Sequence, residues 1–526
     1  MSRGTHIPHP VRSTAPVDWA IVSAEQILET QAVDSNDQRA VRMAKRAEII
    51  AAGGEAYPVG VPRTHSLREV RDVYSHLAPG EETHDVVGIV GRVVFQRNTG
   101  KLCFATLQEG GPEGAGTRLQ VMLSLAEVGA ESLDSFKHLV DLGDHLFIKG
   151  RVIASRRGEL SIMATEWTMA SKALRPLPVL HAELNEETRV RQRYADLIVR
   201  DEARQMIYTR AAITKAIRSV LDAKGYIEVE TPMLQLVHGG ASARPFGTHL
   251  NAFDQDMTLR IATELYLKRT VVGGVDRVYE IGRIFRNEGV DSTHSPEFTT
   301  LECYEAYADQ FVMAARLKEI ILAAADAIGA GRQIETAKGT IDLDGEWAWV
   351  SVYPGLSEAV GEEITPETPA ETLRAIAEKH EVKPDPKWGA EKIVIELFGE
   401  IVEPTLINPT FVYDYPPAAQ PLARAHRSKP GVIEAWDLII GGMERGTAFS
   451  ELIDPVVQRE RLTEQSLLAA GGDPEAMQLD EDFLRALEYG APPMGGIGLG
   501  VDRLVMLFTD AGIRETILFP LLKPEA

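Results

Sequence analysis

The chain has 526 residues, several times the roughly 100 to 200 of a usual domain, which predicts two or three domains. Its 44% hydrophobic and 25% charged residues are typical of a globular protein and exclude a mainly disordered, collagen-like or disulfide-framework chain. The net charge of −22, from 55 Lys and Arg against 77 Asp and Glu, argues against a generally basic coat that binds nucleic acid without specificity. A local basic face is still compatible with that charge.

Cysteine usage and the N-terminus bear on the compartment. The two cysteines, Cys103 and Cys303, form no CxxC motif and no zinc-spaced cluster, which predicts a reducing compartment and no structural metal site. No stretch approaches about 18 consecutive apolar residues, and the N-terminus lacks the apolar core of a signal peptide. We therefore expect a cytoplasmic protein without a membrane anchor.

The first 64 residues predict a tail and a helical extension. Residues 1–36 mix Pro, Ser, Thr and isolated charges, which is typical of a flexible tail. Residues 37–64 predict a basic helical extension and a linker. The helix carries cations at intervals of one helical turn, and a solvated helix face is the simplest interpretation of such a stripe. The cations are Arg39, Arg42, Lys45 and Arg46.

Two domains are predicted after the extension. Residues 65–180 hold short β-type runs separated by glycines, which predicts a small antiparallel barrel. The segment EGGPEGAGT lacks the GK[ST] ending of a phosphate-binding loop, so we interpret it as a hairpin loop. Residues 181–526 alternate helical and strand patterns, as a large mixed domain does.

One charged hairpin is predicted within the larger domain. Arg286 and Glu288 are two residues apart, so on a strand they would share a face, and Glu302 with Tyr304 repeats that spacing after a polar loop that holds His294. Such a face is costly to bury without partners, so it predicts a polar-ligand site. The alternative is an exposed, salt-bridged hairpin.

A glycine-rich strand is predicted near the C-terminus. Gly496, Gly498 and Gly500 alternate in GGIGLGVDRLVMLF, and Arg503 opens the apolar helix that follows. Glycine at every second strand position allows a flat ligand or another backbone to approach one face. The segment lacks the GxGxxG order of a dinucleotide fold.

These motifs resemble the class II lysyl-tRNA synthetases of the bacterial type, from about residue 38 to the C-terminus. The three general class II motifs are matched by GYIEVETP at 225–232, FRNE with HSPEF at 285–298, and GIGLGVDR at 496–503. The lysine-type segments are GGASARPF at 239–246, ATELYLKR at 262–269, LECYEAY at 301–307 and AFSEL at 448–452.

The resemblance implies an α+β fold, with an N-terminal OB-fold barrel that binds the anticodon and a catalytic domain built on an antiparallel sheet flanked by helices. It implies that Phe104 stacks on an anticodon base and that Arg92, Gln120 and Glu159 read base edges. From its strand pattern alone, Phe104 would more often be a core residue. Several cations of the barrel region support an RNA-facing surface, namely Lys149, Arg151, Arg156, Arg157, Lys172 and Arg175.

The resemblance also implies a homodimer and a two-step reaction. Lysine attacks the α-phosphate of ATP, and the lysyl group then passes from the adenylate to the terminal ribose of tRNA(Lys). Arg286 and Arg503 would be the catalytic residues, with Arg286 on the α-phosphate. The ATP site would comprise Arg286, Glu288 at the adenine amino group, His294 at the terminal phosphates, and Phe298 and Arg503 on either side of the adenine.

The same resemblance implies a magnesium site and a lysine pocket. Asp437 and Glu444 would hold Mg²⁺, and many relatives have Glu at position 437. A buried ammonium needs a carboxylate, and its four-carbon stem needs an apolar wall. The lysine-binding residues would be Gly240, Glu264, Glu302, Tyr304, Thr447, Phe449 and Glu451.

Several positions depart from the usual family pattern. Thr447 and Ala448 replace Asn and Gly, and Thr263 stands at the usual Pro of APEL. Ser242 and Arg445 are also unusual, and Arg445 adds a charge beside the predicted metal acids. We hypothesise that these changes alter lysine affinity or the fit of inhibitors directed at the pocket.

Two other functions were weighed. An aspartyl- or asparaginyl-tRNA synthetase shares the barrel and the class II motifs, but its pocket needs a cation for the substrate side chain, where this chain offers Glu451 and Tyr304. A repurposed paralogue that binds tRNA or lysylates another acceptor would be expected to lose the barrel or residues such as Arg286, Glu444 or Arg503. All of these are present, and the transmembrane helices of membrane-linked lysyl-transferring relatives are not predicted.

Overall fold

The computed structural model describes residues 37–111, 116–178, 185–473 and 475–524. Within them the chain forms two compact units. The first ends at Leu177, and the second comprises the residues from Pro178 onwards together with residues 110, 111 and 116. The predicted tail at 1–36 and the predicted domain junction at 180–181 lie outside the described residues, as do residues 112–115 of the predicted hairpin loop.

The first unit is built on a closed five-stranded barrel, as the sequence predicted. Its strands are β1 (Glu82–Asn98), β2 (Leu102–Glu109), β3 (Thr117–Ser124), β4 (His145–Ala154) and β5 (Leu160–Ser171). They close in the order β1-β2-β3-β5-β4. The pair of β3 with β5 is parallel, so the predicted barrel is present but is not antiparallel throughout. Its helices are α1 (Gln38–Ala51), α2 (Leu67–Tyr74), α3 (Leu125–Val128) and α4 (Ala130–Leu139).

Alternation along β2 separates the inside of the barrel from its outside. Cys103, Ala105 and Leu107 are buried in the barrel core, whereas Phe104 is only partly buried. Since successive strand residues point to opposite sides, Phe104 lies on the outer surface. It is therefore not the core residue that its strand pattern alone would favour.

Helix α1 is attached to the barrel unit by two of its cations. Arg42 is buried, and its Nη1 donates to the carbonyl oxygens of Leu142 at 2.9 Å and Arg175 at 3.0 Å. Lys45 Nζ lies 2.7 Å from Asp141 Oδ1. The basic stripe is therefore not simply a solvated face.

The prediction that Lys172 belongs to an RNA-facing surface was wrong. The Lys172 side chain is fully buried, and its Nζ lies 2.7 Å from Asp144 Oδ2 and 2.6 Å from Asp141 Oδ2. A buried lysine is retained as a cation only with such partners. Lys172 therefore stabilises the barrel unit from within and is unavailable to RNA.

The second unit is built on an eight-stranded sheet. Its strands are β6 (Ile227–Glu228), β10 (Arg277–Phe285), β11 (Glu297–Ala306), β14 (Ala348–Ser351), β15 (Thr410–Tyr413), β16 (Ala435–Ile439), β17 (Glu444–Ser450) and β18 (Met494–Gly500). The order is β14-β15-β16-β17-β18-β11-β10-β6, and only the two outermost pairs are parallel. This confirms the predicted antiparallel sheet. Shorter strands are β7 (Leu234–Gln235), β8 (Gly247–Leu250), β9 (Gln255–Leu259), β12 (Gln333–Thr336) and β13 (Gly339–Asp342).

Helices flank this sheet. They are α5 (Glu186–Arg191), α6 (Arg193–Val199), α7 (Asp201–Ala223), α8 (Glu264–Val272), α9 (Gln310–Ile328), α10 (Val352–Val360), α11 (Ala370–Lys379), α12 (Ala390–Ile401), α13 (Pro455–Ala470), α14 (Glu481–Glu488), α15 (Val501–Thr509) and α16 (Ile513–Thr516). Two 3₁₀ turns lie at Glu403–Thr405 and Pro417–Ala419. Among the described residues, no helix has the length and apolar character that crossing a membrane requires.

The register gives the sheet one apolar and one polar face. Leu301 pairs with Leu499 and Cys303 with Ile497, and these side chains join α7 and α9 in one hydrophobic core. Because strand residues alternate, the intervening positions face the other way. Glu302 and Tyr304 of β11 and Gly496, Gly498 and Gly500 of β18 therefore share the second face.

Candidate active site

The polar face of the sheet forms the floor of a cavity of about 380 Å³. Its lining includes every residue that the sequence analysis assigned to ATP, lysine or magnesium. These are Gly240, Glu264, Arg286, Glu288, His294, Phe298, Glu302, Tyr304, Asp437, Glu444, Thr447, Phe449, Glu451 and Arg503.

Glycines make room for this cavity. Gly496 pairs with Tyr304 on one side and Phe449 on the other. A Cβ at this position would lie 2.3 Å from Glu451 Oε1 and 2.4 Å from Tyr304 Cε1, so no other residue fits without moving both side chains. Gly240 adopts φ +88°, a conformation that favours glycine, and a Cβ there would lie 2.9 Å from Ala262 Cβ.

Arg286 lies at one end of the cavity, directly after β10. The prediction that Arg286 and Glu288 share a strand face was wrong, because the strand ends at Phe285 and Glu288 is exposed in the following loop. The Arg286 guanidinium lies 5.4 Å from the centroid of the Phe298 ring. Burial lowers the pKa of Arg286, but an arginine still remains a cation at neutral pH.

Asp291 organises the loop that carries His294, and the sequence analysis missed it. Its carboxylate accepts from the backbone N–H groups of Thr293 at 2.7 Å and His294 at 2.8 Å, and these contacts hold its pKa well below the usual range. Asp291 Oδ2 also lies 2.9 Å from His294 Nδ1, and His294 Nε2 lies 3.4 Å from Arg503 Nη2. The D-x-T-H spacing, typical of a turn that Asp closes, was the available sequence signal.

Arg503 is held from two sides. Its Nη1 lies 3.3 Å from Glu444 Oε2 and donates to the Glu444 carbonyl oxygen at 3.2 Å. The unusual Arg445 is buried, and its Nη1 donates to the Arg503 carbonyl oxygen at 2.8 Å. Burial, with the charge of Arg503, lowers the pKa of Arg445 to about 10. Arg445 thus supports the backbone of Arg503.

Asp437 and Glu444 are the acids that could hold a divalent cation. Burial raises the pKa of Asp437, and the charge of Glu444 raises it further. Mg²⁺ commonly binds through one or two carboxylates together with substrate phosphates, so these two acids suit it. Among the described residues there is no group of three or more His, Cys, Asp or Glu side chains placed to hold a metal by themselves.

Three buried carboxylates lie at the other end of the cavity. Glu264, Glu302 and Glu451 are each less than a tenth exposed, beside the buried Tyr304, whose hydroxyl lies 3.2 Å from Glu302 Oε2. Burial raises the pKa of Glu302 to about 7, and the charge of Glu264 adds to the shift. Burial also raises the pKa of Glu264 and Glu451. This end of the cavity therefore has a strong preference for cations.

Lys268 lies behind these acids, and the sequence analysis missed it. Its side chain is 1% exposed, and its Nζ lies 2.5 Å from both Glu264 Oε1 and Glu451 Oε2. Glu264 precedes it by four residues, a spacing that places both side chains on one face of α8. That pair was visible in the sequence, whereas the contact with Glu451 was not.

The other unusual positions fall in different environments. Ser242 and Thr447 line the cavity. Ala448 does not, because it is buried in the core on the opposite face of the sheet. Its effect on lysine affinity or inhibitor fit stays a prediction, and any such effect would have to pass through its neighbours in the sheet.

Thr263 supplies a contact that the family's usual proline cannot make. Its backbone N–H donates to Glu302 Oε1 at 2.9 Å, which opposes the effect of burial on the pKa of Glu302. Proline has no N–H group, and its fixed φ near −65° differs from the −101° of Thr263. The Thr263 hydroxyl is buried and has no hydrogen-bond partner among the described residues.

Replacing Thr263 by proline should lower kcat/KM at pH 7 for lysine, the substrate that the sequence resemblance implies, by about 10- to 100-fold, the value of a hydrogen bond to a charged group. Loss of the donor raises the pKa of Glu302, so its ionised fraction at pH 7 falls and activity should recover towards pH 9. The pH profile of ATP–pyrophosphate exchange measures this. Thr263→Ala keeps the N–H group and should follow the wild type, and equal profiles for both variants would contradict the prediction.

The predicted anticodon residues lie on the outer surface of the barrel. Phe104 and Thr106 are two residues apart on β2, so their side chains lie on the same face of the sheet. Thr106 pairs with Gln120 on β3, and paired residues share a face, so Phe104 and Gln120 face the same way. Gln120 Nε2 donates to Ser161 Oγ at 2.8 Å.

The other two predicted anticodon residues already have protein partners. Arg92 Nη1 donates to the Gly143 carbonyl oxygen at 2.9 Å, and the exposed Glu159 forms an ion pair with Arg71 at 3.2 Å. RNA contacts by Arg92 or Glu159 would therefore have to share or replace these interactions.

The chain has a small barrel followed by a domain with an antiparallel sheet, and the cavity on that sheet is lined by both arginines and carboxylates. This architecture is that of a class II tRNA synthetase. Residues 185–523 match the family model of class II tRNA synthetases (D, K and N), and residues 87–170 match that of the OB-fold nucleic acid binding domain. The chain is 57% identical to the lysine–tRNA ligases of Kineococcus radiotolerans and Mycolicibacterium gilvum, over 93% of its length and 98% of theirs. It is 53% identical to that of Mycobacterium tuberculosis, over 94% of its length and 99% of that protein. The chain belongs to the class II tRNA synthetase family and, within it, to the lysine–tRNA ligases.

Proposed function

We propose that this chain activates L-lysine with ATP to give lysyl-adenylate and then transfers the lysyl group to the 3′ end of tRNA(Lys). The observation that carries the proposal is the division of charge within one cavity. Arg286 and Arg503 line the same cavity as three buried carboxylates. Arg503 lies beside His294 and Glu444, whereas Glu264 and Glu451 lie together around Lys268. Lysine carries a carboxylate at one end and two ammonium groups, which this division matches.

The negative charge of the pocket favours lysine over aspartate and asparagine, the substrates of the other synthetases that the same family model covers. Aspartate or asparagine would require a cation or an amide-like set of donors facing the ligand, but the charged side chains that line the cavity around Tyr304 are the carboxylates of Glu264, Glu302 and Glu451. Lys268 is a cation in this region, but it lies behind the carboxylates. With a neutral or acidic substrate side chain, Lys268 would be the cation shared by Glu264 and Glu451, and the excess negative charge of the buried carboxylates would stay uncompensated, which is unfavourable.

The chemistry needs positioning and charge neutralisation more than a covalent enzyme intermediate. In the proposed first step, the lysine carboxylate attacks the α-phosphate and pyrophosphate leaves. Arg286 would stabilise the charge that develops on the α-phosphate, and His294, oriented by Asp291, would contact the terminal phosphates. The Phe298 ring and Arg503 would hold the adenine between them, with Glu288 at its amino group.

Magnesium is the metal that suits the acids of the site. We propose that Asp437 and Glu444 hold it, and when bound it would neutralise charge on the ATP phosphates. Asp437 is one methylene shorter than the glutamate of many relatives. Its reach is therefore reduced, while its charge is the same.

Phe104 is proposed to stack on an anticodon base, with Arg92, Gln120 and Glu159 at the base edges. Phe104→Ala should raise KM for tRNA(Lys) in aminoacylation by about 5- to 100-fold, the value of one aromatic–base stack. ATP–pyrophosphate exchange does not need tRNA and should be unchanged. Phe104→Tyr keeps the ring and should restore the KM, and a lysylation rate that is insensitive to Phe104→Ala would contradict the proposed role.

The chain is proposed to work as a cytoplasmic homodimer. Exposed apolar side chains cluster in and after the first class II motif, and a second copy would cover them. They are Ile227, Met233, Leu234, Leu236 and Phe253.

Sedimentation equilibrium should therefore give twice the 57.7 kDa mass of one chain. Leu236→Glu should weaken the association, and Val59→Glu, at an exposed position of the barrel unit, should not. A monomeric wild type at micromolar concentration would contradict the proposed dimer.

ATP–pyrophosphate exchange with each of the twenty amino acids, in the presence of magnesium, tests the proposed function. Exchange with lysine, followed by lysylation of tRNA(Lys), is the expected result. Preference for another amino acid would contradict the interpretation of the acidic pocket. Exchange without tRNA charging would instead favour a repurposed protein.

A further inference from the structure

The lysine end of the cavity holds more acids than the substrate has ammonium groups. Three buried carboxylates, Glu264, Glu302 and Glu451, contribute up to three negative charges, and lysine brings two ammonium groups. Its carboxylate has Arg286 as its own partner. Without another cation, one buried carboxylate would lack compensation in the complex, an arrangement that is strongly unfavourable.

Lys268 is the cation that compensates the third carboxylate. Burial lowers the pKa of Lys268, but the nearby carboxylates of Glu264 and Glu451 outweigh that effect and leave the pKa raised. It is therefore a cation at neutral pH. When all three carboxylates are ionised, they and the Lys268 ammonium leave two net negative charges, which equal the two ammonium groups of a bound lysine.

The contacts of Lys268 also fix where the carboxylates point. Nζ donates to Glu264 Oε1 and forms an ion pair with Glu451 Oε2, each at 2.5 Å. Neither oxygen of Glu451 has a hydrogen-bond partner among the described residues, and the ion pair with Lys268 is made by Oε2, not by Oε1. Oε1 lies over Gly496, 2.3 Å from where a Cβ would stand, and Gly496 lines the cavity. One oxygen of Glu451 is thus held from behind, and the other is directed towards the ligand.

We propose that Lys268 is a positioning residue that sets the pocket's specificity for an amino acid with two ammonium groups, by anchoring Glu264 and Glu451 and cancelling one of three negative charges. The proposal rests on the proposed lysine activation. It assigns the selectivity to a cation that the substrate does not touch. Tyr304, whose ring centroid lies 5.9 Å from Lys268 Nζ, completes the surroundings of that cation.

The test compares L-lysine with 6-hydroxynorleucine, a neutral analogue of similar size, in ATP–pyrophosphate exchange. Lys268→Met should lower kcat/KM for lysine by about 10- to 100-fold, with KM for ATP unchanged, because the carboxylates lose both their anchor and their compensation. The preference for lysine over the neutral analogue should fall by a similar factor. Lys268→Arg keeps the charge and should restore most of that preference, whereas Lys268→Gln keeps a donor without the charge and should not.

A second buried lysine provides the matched control. Lys172 also lies between two carboxylates, those of Asp141 and Asp144, but in the barrel unit. Lys172→Met should therefore reduce thermal stability without changing the preference for lysine. The comparison of Lys268→Arg with Lys268→Gln does not depend on whether Lys268→Met folds. Equal preference in those two variants, or a preference within about twofold of wild type in Lys268→Met, would overturn the proposal.

The same assay separates this inference from the proposed function. A wild type that activates no lysine would refute the function itself. A wild type that activates lysine, with Lys268 variants that keep its selectivity, would refute only the role of Lys268.

Discussion

Replacing Arg286 by glutamine should reduce ATP–pyrophosphate exchange by about 1,000-fold, mainly through kcat. Arg286 lines the cavity with its guanidinium 5.4 Å from the Phe298 ring centroid, where it can neutralise charge that develops on the α-phosphate. Glutamine keeps hydrogen-bond donors but loses the charge and the paired geometry. Exchange kinetics at saturating lysine measure the loss directly.

Arg283 is the matched control for Arg286. It lies three residues earlier on β10, on the opposite face of the sheet, with an ion pair to Glu297 at 3.7 Å. Arg283→Gln makes the same chemical change in the same hairpin and should leave exchange within about twofold of wild type. Comparable losses in both variants would mean that the hairpin's overall charge matters, and that Arg286 has no special role.

Local alternation explains why much of the site was predictable. Glu302 and Tyr304 are two apart on β11, and Gly496 and Gly498 are two apart on β18, so each pair had to share a face. The register then aligns Glu302 with Gly498 and Tyr304 with Gly496. The two-residue period of a strand shows which of its residues share a face, and a few consecutive residues are enough to reveal it even when the partner strand is not known.

Strand ends and long-range partners were not predictable in the same way. Nothing in FRNE indicated that β10 ends at Phe285, because that end is set by its pairing with β11. Lys172 was assigned to a surface because its acidic partners, Asp141 and Asp144, lie about thirty residues away in the sequence. Charged residues carry no periodic signal that separates an exposed cation from a buried one.

The role of Lys268 was not predictable for the same reason, because it depends on a partner that is distant in the sequence. Its spacing from Glu264 suggested an ordinary helical ion pair, which on an exposed surface has little energetic weight. Only the fold brings Glu451 to the other side of its ammonium group. The segment ATELYLKR therefore contains a cation, Lys268, that acts on the pocket through Glu264 and Glu451. The residue types alone could not reveal this arrangement.

Glu451→Gln should lower kcat/KM for lysine by about 100- to 1,000-fold while lowering that for 6-hydroxynorleucine much less. Glutamine is nearly isosteric, but it cannot compensate the substrate's ε-ammonium, and it removes one of the two anions that hold Lys268. The variant pocket then confronts the ammonium of the substrate with the ammonium of Lys268. Repulsion adds to the lost attraction, which is why the expected effect exceeds that of a single hydrogen bond.

Glu305 provides the control for Glu451. It is a buried acid on β11, and it accepts from Tyr226 at 2.6 Å and Arg277 at 2.8 Å on the opposite face of the sheet. Glu305→Gln should cost stability without changing the preference for lysine, because it breaks a buried ion pair away from the cavity. If Glu451→Gln instead lowered activity with lysine and with the neutral analogue equally, Glu451 would act by maintaining the pocket's shape. The selectivity for lysine would then have to come from Glu264 and Glu302.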